Sequence, residues 1–231
     1  MKEKKMAINN PSIAIVGGTG KEGSAIAARF AKAGVRTIIG SRDAAKAKQF
    51  ATMVNLECKI ESVEGYTNCE AVGKADIVVL AVPYSAMKCT LEEIKPVASG
   101  KVIINIASSL DSEKKSRARI NPAGSIAMEI QNFLGPQTKV VDAFQNICPT
   151  DLLDYSGKIS TDVLVVGADR ATRDMVICLI RKAKILAYDA GPIENAVVVE
   201  TLTAVLISMN IRYKITGAGI HITGVPRSEE S

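Results

Sequence analysis

The stretch IAIVGGTGKEGSAIAARFAKAG, residues Ile13–Gly34, decides the fold of this chain. A short apolar segment leads into Gly18-x-Gly20-x-x-Gly23, and an amphipathic helical pattern follows. The first glycine permits a tight turn, the second lets a pyrophosphate approach the backbone, and the third lets helix and strand pack closely. The N–H groups at the start of the helix can then bind phosphates. The stretch therefore predicts a dinucleotide-binding unit rather than a purely steric turn.

The end of the second predicted strand lacks the acidic residue that usually binds the ribose of NAD. Gly40-Ser41-Arg42 stands there instead, and Lys46 lies one helical turn beyond Arg42. A carboxylate would repel a 2′-phosphate, whereas a hydroxyl and basic side chains would bind it, so the pattern favours NADP. The alternative is that Ser41 or Asp43 caps a helix. The two basic residues would then be ordinary surface charges.

Apolar segments of strand length alternate with helical patterns along the whole chain. We predict strands over Ser12–Val16, Thr37–Gly40, Ile77–Val82, Val102–Ile106, Lys139–Ala143, Val163–Gly167 and Ile185–Tyr188. We predict helices over Glu22–Ala33, Ala44–Val54, Ser85–Ile94, Ser125–Leu134, Arg170–Ala183 and Glu194–Tyr213. This alternation predicts an α/β fold, a doubly wound parallel sheet of the Rossmann type with a small C-terminal α/β extension.

The apolar pattern breaks near Pro149, which suggests a division of the chain. We expect an NADP-binding Rossmann domain over residues 1–145 and a smaller C-terminal domain over residues 146–231. The helix Glu194–Tyr213 is apolar nearly all round, so it is expected to be buried in a domain core or between subunits. The terminal segment Pro226–Ser231 is expected to fray.

Composition excludes several classes of function. Aromatic residues make up 4% of the 231 residues and Trp is absent, which argues against a nucleic-acid surface built on stacked bases. The net charge of +5 fits small anionic ligands, as it also fits scattered solvated lysines. Five dispersed cysteines form no CxxC pair, which disfavours a disulfide framework or zinc site and indicates a reducing cytoplasm. The apolar segment near the N-terminus is too short for a membrane span.

Ligands of open α/β sheets bind beyond the carboxyl ends of the strands. Candidate cofactor contacts at three such ends are Val82, Pro83, Tyr84, Ala107, Ser108, Gln145, Asn146 and Ile147. For Tyr84, a half-buried aromatic at a helix start is an equal alternative. The single histidine, His221, is expected to be structural, so neither a metal site nor a catalytic triad is predicted. Hydride transfer between two bound cofactors needs no catalytic side chain and fits this absence.

Several segments together resemble the NADPH-dependent coenzyme F420 reductases, also called F420:NADP oxidoreductases. The resemblance covers most of the chain and rests on Ile13–Gly34 and on IIGSRD, VVLAVPYSA, KVVDAFQNI, LAYDAGPIENAVVVETLTAVLISMN and GAGIHITG. The last two segments are the most specific. The resemblance implies an enzyme that transfers hydride directly and reversibly between NADP(H) and the deazaflavin F420.

The resemblance also implies the cofactor contacts. NADP would be held by Thr19, Gly20, Lys21, Glu22, Ser41, Arg42 and Lys46, with Tyr84 and Ser108 near its middle. F420 would stack on the nicotinamide, between the AFQNI loop, the helix carrying Thr201 and Thr203, and the segment around Ala218. Ile147 would help set the spacing of the stacked rings. The family's pairing through C-terminal helices implies a homodimer.

One position departs from the family pattern. Gln145 stands where family members commonly carry histidine, and glutamine donates a hydrogen bond but cannot titrate. Two alternatives therefore stay open. One is an NADPH-dependent reductase of another acceptor, such as a flavin or ferric chelate. The other is a non-catalytic NADP-binding sensor. No nucleic-acid or membrane partner is expected.

Overall fold

The computed structural model describes residues 11–153 and 159–225, so the expectation for Pro226–Ser231 lies outside the described residues. The strands are β1 (Ile13–Val16), β2 (Thr37–Ser41), β3 (Glu64–Thr67), β4 (Ile77–Leu80), β5 (Val102–Asn105), β6 (Lys139–Asp142), β7 (Val163–Gly167) and β8 (Ala187–Asp189). The helices are α1 (Lys21–Lys32), α2 (Ala44–Cys58), α3 (Asn68–Gly73), α4 (Tyr84–Ile94), α5 (Ile126–Leu134), α6 (Pro149–Leu153), α7 (Arg170–Lys182) and α8 (Ala196–Tyr213).

The strands form one sheet in the order β3-β2-β1-β4-β5-β6-β7-β8. The first six strands in this order are parallel. The direction in which successive strands are added to the sheet reverses between β1 and β4, as in the Rossmann order. Strands β1 and β4 are fully buried along their length, as expected for parallel strands covered on both faces. The predicted fold class, a doubly wound Rossmann sheet, is confirmed.

Helices cover both faces of the sheet. One layer packs buried residues of α1, α2, α6 and α7 against β1 through side chains such as Ile13 and Ile15. The other packs α4, α5 and the start of α8 against β4 through side chains such as Val78 and Leu80. Because successive strand residues point to opposite faces, β1, β4, β5, β6 and β7 each contribute to both layers. The carboxyl ends of the parallel strands are left clear for ligands.

The sheet is not parallel throughout, because β7 pairs antiparallel with β6. Gly167 has φ +137° and lies opposite Val141, and a Cβ there would stand 2.4 Å from the carbonyl oxygen of Val140. Only glycine, which has no Cβ, lets β7 approach β6 this closely. The reversal brings the segment before β7, including Asp162, to the same edge of the sheet as the end of β6.

The seven predicted strands are all present, with ends that differ by at most two residues. Pattern reading missed β3, α3 and α6. Strand β3 reads EGYT and is only partly buried, so it lacks the apolar run that marks the other strands. Helices α3 and α6 are too short to show a helical period. The sheet runs without interruption across residue 145, and the division into domains at that position stays a prediction.

Helix α8 is preceded by a 3-10 turn, Ile193–Asn195, and buries a narrow strip of residues: Ala196, Val199, Glu200, Ala204 and Leu206. Burial in a domain core, one of the two settings expected for this helix, does not extend around it, because Val198, Val205 and Ile211 are more than half exposed. Burial between subunits stays a prediction. Among the described residues, Ile193–Tyr213 has the length and hydropathy of a membrane span. Its buried strip contacts α5 and β7, as in a helix packed on protein.

Candidate functional site

A cavity of about 740 Å³ lies at the carboxyl edge of the sheet. Its wall runs from the glycine-rich turn after β1, past the ends of β4, β5 and β6, to helix α8 and Ala218. This volume lies in the range of small-molecule sites. The position matches the rule that open α/β sheets bind ligands where the strand order reverses.

The glycine-rich turn forms the first wall of the cavity. Helix α1 begins after Gly20, and no side chain caps its first N–H groups. A Cβ on Gly23 would lie 2.9 Å from the carbonyl oxygen of Gly17, so the helix reaches the turn only because this residue is glycine. The uncapped N–H groups face the cavity region that Gly20 and Lys21 line, and they can accept a phosphate.

Glu22 also lines the cavity, in the first turn of α1. Burial of the carboxyl, without a compensating cation, raises the pKa of Glu22 to about 7. The side chain is therefore neutral below that pH and becomes an anion above it. A bound pyrophosphate near the helix start would meet this negative charge only at the higher pH.

The end of β2 forms a separate corner that does not line the enclosed cavity. Asp43 caps α2, because its Oδ1 accepts from the backbone N–H of Ala45 at 2.8 Å and of Lys46 at 3.2 Å. Ser41 therefore does not cap the helix, and its Oγ accepts from the N–H of Asp43 at 3.3 Å. Arg42 is exposed and has no hydrogen bond or ion pair with any described residue. Lys46 lies with its Nζ 6.0 Å from the centroid of the Phe50 ring. The corner presents one hydroxyl and two basic side chains, neither of them in an ion pair with a described residue.

Tyr84 is the first residue of α4 and lines the cavity. Its hydroxyl donates to Glu129 at 2.8 Å and accepts from Asn121 Nδ2 at 2.9 Å. Burial, and then the hydrogen bond to Glu129, raise the pKa of this phenol. The ring is 46% exposed, so the residue combines both sequence interpretations: a helix-start aromatic tied to α5 whose ring faces the cavity.

The loop after β6 enters the cavity through a strained residue. Phe144 has φ +76°, in the left-handed region that bulky residues rarely adopt. Its ring packs edge-on against Phe30, 6.3 Å between centroids, and this buried contact holds the turn. The following residues, Gln145, Asn146 and Ile147, are thereby directed into the cavity wall.

Helix α8 joins this loop through Thr203. The Thr203 hydroxyl donates to the carbonyl oxygen of Gln145 at 2.8 Å, and the Ser108 hydroxyl lies 2.9 Å from Thr203 Oγ1. Because Thr203 has one proton to donate, Ser108 is the donor of that second bond. Three separate chain segments therefore meet in one hydrogen-bonded wall. Thr201 bonds its own helix at Val197 and does not line the cavity.

The C-terminal segment closes the far side. Ala218 lines the cavity, and its N–H donates to Asn210 Oδ1 at 2.9 Å. Asp162 holds the segment, because its Oδ2 accepts from the N–H of Ile222 at 2.7 Å and lies 3.7 Å from His221 Nδ1. His221 is outside the cavity wall, and its structural role stays a prediction.

Two buried oxygens in the wall lack a donor within the described chain. Gln145 Oε1 and Asn146 Oδ1 have no hydrogen-bond partner, although both residues are at most 4% exposed. An orphaned buried acceptor is costly unless a ligand or water supplies a donor. The N–H groups of a deazaflavin or of a nicotinamide carboxamide are donors of the required kind, so the wall fits both cofactors.

Most of the predicted contacts are brought together in the cavity wall: Gly20, Lys21, Glu22, Val82, Pro83, Tyr84, Ala107, Ser108, Gln145, Asn146, Ile147, Thr203 and Ala218. The predicted contacts outside it are Gly18, Thr19, Ser41, Arg42, Lys46 and Thr201. For every one of these residues, contact with a cofactor stays a prediction.

Sequence patterns missed the loop between β5 and α5, which adds Leu110, Asp111, Ser112 and Lys115 to the wall. The loop has no helical or strand period. Its length was the available signal, because a connection of about 20 residues inside a compact fold is usually functional. No group of three or more potential metal ligands occurs within residues 11–153 and 159–225.

Comparison with known proteins identifies the family. The family model described as NADP oxidoreductase, coenzyme F420-dependent, matches residues 12–109. The F420-dependent NADP reductase of Methanothermobacter thermautotrophicus is 40% identical over 94% of this chain and 97% of its own length. That of Methanocaldococcus jannaschii is 36% identical over 92% and 98%. The chain belongs to the F420-dependent NADP reductase family.

A solved structure shares this fold. A putative F420-dependent NADP reductase from Arthrobacter sp. FB24 superposes with a TM-score of 0.77, covering 92% of this chain and 99% of that one. At 23% identity the match shows the fold alone. The sequence resemblance to F420:NADP oxidoreductases is confirmed by these findings.

The raised pKa of Glu22 yields a prediction about nucleotide affinity. The ratio of the NADPH dissociation constant of the natural protein to that of a Glu22→Gln variant should rise with pH through about 7. One like-charge contact near solvent costs ~1 kcal/mol, or about fivefold in affinity. Fluorescence titration from pH 6 to 8.5 measures both constants. Because the ratio cancels the ionisation of the nucleotide itself, a constant ratio would contradict the assignment.

Proposed function

We propose that this protein is an F420:NADP oxidoreductase, in which hydride passes directly and reversibly between NADP(H) and F420. When both cofactors are bound, NADPH supplies a hydride from nicotinamide C4 to deazaflavin C5, and the reduced deazaflavin takes up one proton. The observation that carries the proposal is the continuity of one cavity from the glycine-rich turn to α8 and Ala218. Membership of the F420-dependent NADP reductase family supports it.

The nucleotide half of the site is built for binding. Helix α1 offers its uncapped N–H groups to the pyrophosphate, and Lys21 adds a positive charge at the cavity wall. Arg42, and Lys46 beside Phe50, can form charge-assisted hydrogen bonds with a 2′-phosphate. The half-buried Ala107 and Ser108 leave room for the nicotinamide end of the molecule.

The deazaflavin half is built for positioning. Gln145 and Asn146 present buried acceptor oxygens, and Thr203 fixes the backbone of Gln145. Ile147 and Leu206 supply an apolar surface that excludes water from the reacting atoms. Positioning two reactants in this way supplies much of the rate enhancement of a bimolecular reaction. No side chain is assigned a catalytic role.

The first test is spectroscopic. Purified protein with NADPH should bleach the visible absorbance of oxidised F420, and NADH should support a much lower rate. Free flavin and a ferric chelate serve as competing acceptors in parallel reactions. A higher rate with either of them would favour a reductase of a different acceptor. Tight NADPH binding without turnover of any acceptor would favour an NADP-binding sensor.

A second prediction concerns cofactor choice. Arg42→Ala should raise the KM for NADPH by about 10- to 150-fold, equivalent to ~1.5–3 kcal/mol of charged hydrogen bonding, and change that for NADH much less. Lys48→Ala is the matched control, because it removes an equal charge from a different face of α2. Steady-state kinetics with both nucleotides decides the matter. Equal effects on the two nucleotides would show that Arg42 does not contact the 2′-phosphate.

We also propose that the protein is a cytoplasmic homodimer paired through α8. Val198, Val205 and Met209 recur at intervals of seven and four residues and form an exposed apolar stripe along one side of the helix. Such a stripe on a soluble chain is typical of an interface. All five cysteines are free thiols, which supports a reducing compartment. The further proposal is that residues 146–231 act as a distinct deazaflavin-binding and dimerising domain.

The dimer has its own test. Val205→Asp should raise the dimer dissociation constant by at least about tenfold, because an unpaired carboxylate would be buried at the contact. Leu56→Asp is the control, since Leu56 is an exposed apolar residue on α2. Sedimentation velocity over a range of concentrations compares the three proteins. Dimerisation unaffected by Val205→Asp would rule out the α8 interface.

A further inference from the structure

Glu200 is a fully buried carboxylate that the proposed reaction does not use. Its Oε1 accepts from the N–H of Ala127 at 3.0 Å, and its Oε2 accepts from the N–H of Ile126 at 3.0 Å and from the Ser109 hydroxyl. These N–H groups open α5, where the helix dipole favours negative charge. These three partners all donate, so the Glu200 carboxyl acts as an acceptor toward α5 and Ser109.

Asp142, the last residue of β6, is equally buried and lies within hydrogen-bonding reach of Glu200. Its Oδ1 accepts from Asn105 Nδ2 at 2.8 Å, while its Oδ2 has no donor in the described chain. Two ionised carboxylates would leave that oxygen orphaned beside a second negative charge. A proton on the Asp142 carboxyl removes one of the two charges and gives the group a donor that Glu200 can accept. Burial, and then the charge of Glu200, raise the pKa of Asp142 well above its ordinary value.

The other charged side chains on the elements around β6 have partners of their own or are exposed. Glu129 of α5 is bonded to Tyr84 and Asn121, and Glu194, before α8, is exposed. Lys139, at the start of β6, pairs with Asp169 at 2.7 Å. Arg212 lies at the exposed end of α8. The neighbours from β5, β7 and the following loop are the uncharged Asn105, Val166 and Gln145.

The carboxyl pair is connected to the cavity wall by short steps. Ser109 follows Ser108, whose hydroxyl bonds Thr203, and Thr203 is three residues beyond Glu200 on α8. Gln145 donates from Nε2 to the carbonyl oxygen of Asn105 at 2.9 Å, and its amide also faces Asp142. The pair therefore lies behind Ser108, Gln145 and Thr203, whose hydrogen bonds join the ends of β5 and β6 to α8 in the cavity wall.

We propose that Asp142 and Glu200 share one proton, carried by Asp142, and act as positioning residues that hold Gln145 and Thr203 for the deazaflavin. The identity of the ligand rests on the proposed function; the shared proton does not. While Asp142 holds its proton, α8 and the end of β6 are bonded through the pair. Loss of that proton places two negative charges together and separates the two sides of the wall. Affinity for the deazaflavin is then lost as pH rises.

Amide variants distinguish the two members of the pair. Asp142→Asn keeps a donor toward Glu200 and an acceptor for Asn105, so it mimics the protonated acid. Glu200→Gln places an NH₂ group against donors at the start of α5, so its melting temperature should fall sharply. Asp142→Asn should fold with an equal or higher melting temperature at neutral pH. A lower melting temperature for Asp142→Asn than for Glu200→Gln would overturn the assignment of the proton to Asp142.

The raised pKa of Asp142 predicts how the free energy of unfolding depends on pH. Because the folded pKa of Asp142 is above its unfolded value, the free energy of unfolding falls as pH rises from about 4 to the folded pKa and is level beyond it. Asp142→Asn should remove this part of the decline. Denaturant titrations at a series of pH values measure it, and equal declines in the two proteins would contradict a protonated Asp142.

Kinetics tests the positioning role. In the natural protein the KM for F420 should rise by up to about tenfold per pH unit above the titration of Asp142, while the KM for NADPH changes less. Asp142→Asn should give a flat KM profile for F420 over the same pH range. A pair with only a structural role would give both proteins the same KM profile, which would overturn the proposal.

Infrared spectroscopy separates failure of this inference from failure of the proposed function. The infrared spectrum of the natural protein minus that of Asp142→Asn at neutral pH should contain a protonated-carboxyl band, with or without F420, because the contribution of Glu22 cancels in this difference. If F420 is not turned over and the band is present, the shared proton stands and the reaction assignment fails. Absence of the band would overturn the inference whatever the enzyme reduces.

Discussion

The contact of Glu200 with the first N–H groups of α5 is the constraint on which the site depends. A carboxylate in the interior is costly unless donors surround it, and here two backbone N–H groups and a serine hydroxyl do so. The requirement fixes α8 against α5 and against the end of β5. Thr203 and Leu206 take their places in the cavity wall because the helix that carries them has one allowed position.

This fixed wall suits a reaction in which both reacting atoms belong to cofactors. The chain offers uncapped N–H groups at the start of α1, basic side chains at the end of β2, and buried acceptors at Gln145 and Asn146 that have no donor. The left-handed backbone at Phe144 is strain of the kind found near functional sites, and the contact with Phe30 maintains it. The protein contributes position and exclusion of water, which is consistent with the lack of an acid–base pair.

Much of the fold could be predicted, because apolar runs and glycine-rich turns report local conformation directly. The unit β1-α1-β2 follows from residues Ile13–Ser41 without any tertiary information. Strand β3 could not be found, because EGYT is stabilised by its neighbour β2 rather than by its own apolar character. The antiparallel direction of β7 was also hidden, since a strand reads the same in either orientation and Gly167 acquires its meaning only beside Val140.

The sequence by itself determined the dinucleotide turn, the NADP-type strand end and the family, because each rests on residues that are adjacent in the chain. Tertiary structure alone decided how the cavity is closed. Asp142 and Glu200 are 58 residues apart and looked, in sequence, like a strand-end acid and an internal helix acid. Their shared burial makes them one electrostatic unit, because the energy of a charge depends on its surroundings in space and not on its neighbours in the chain.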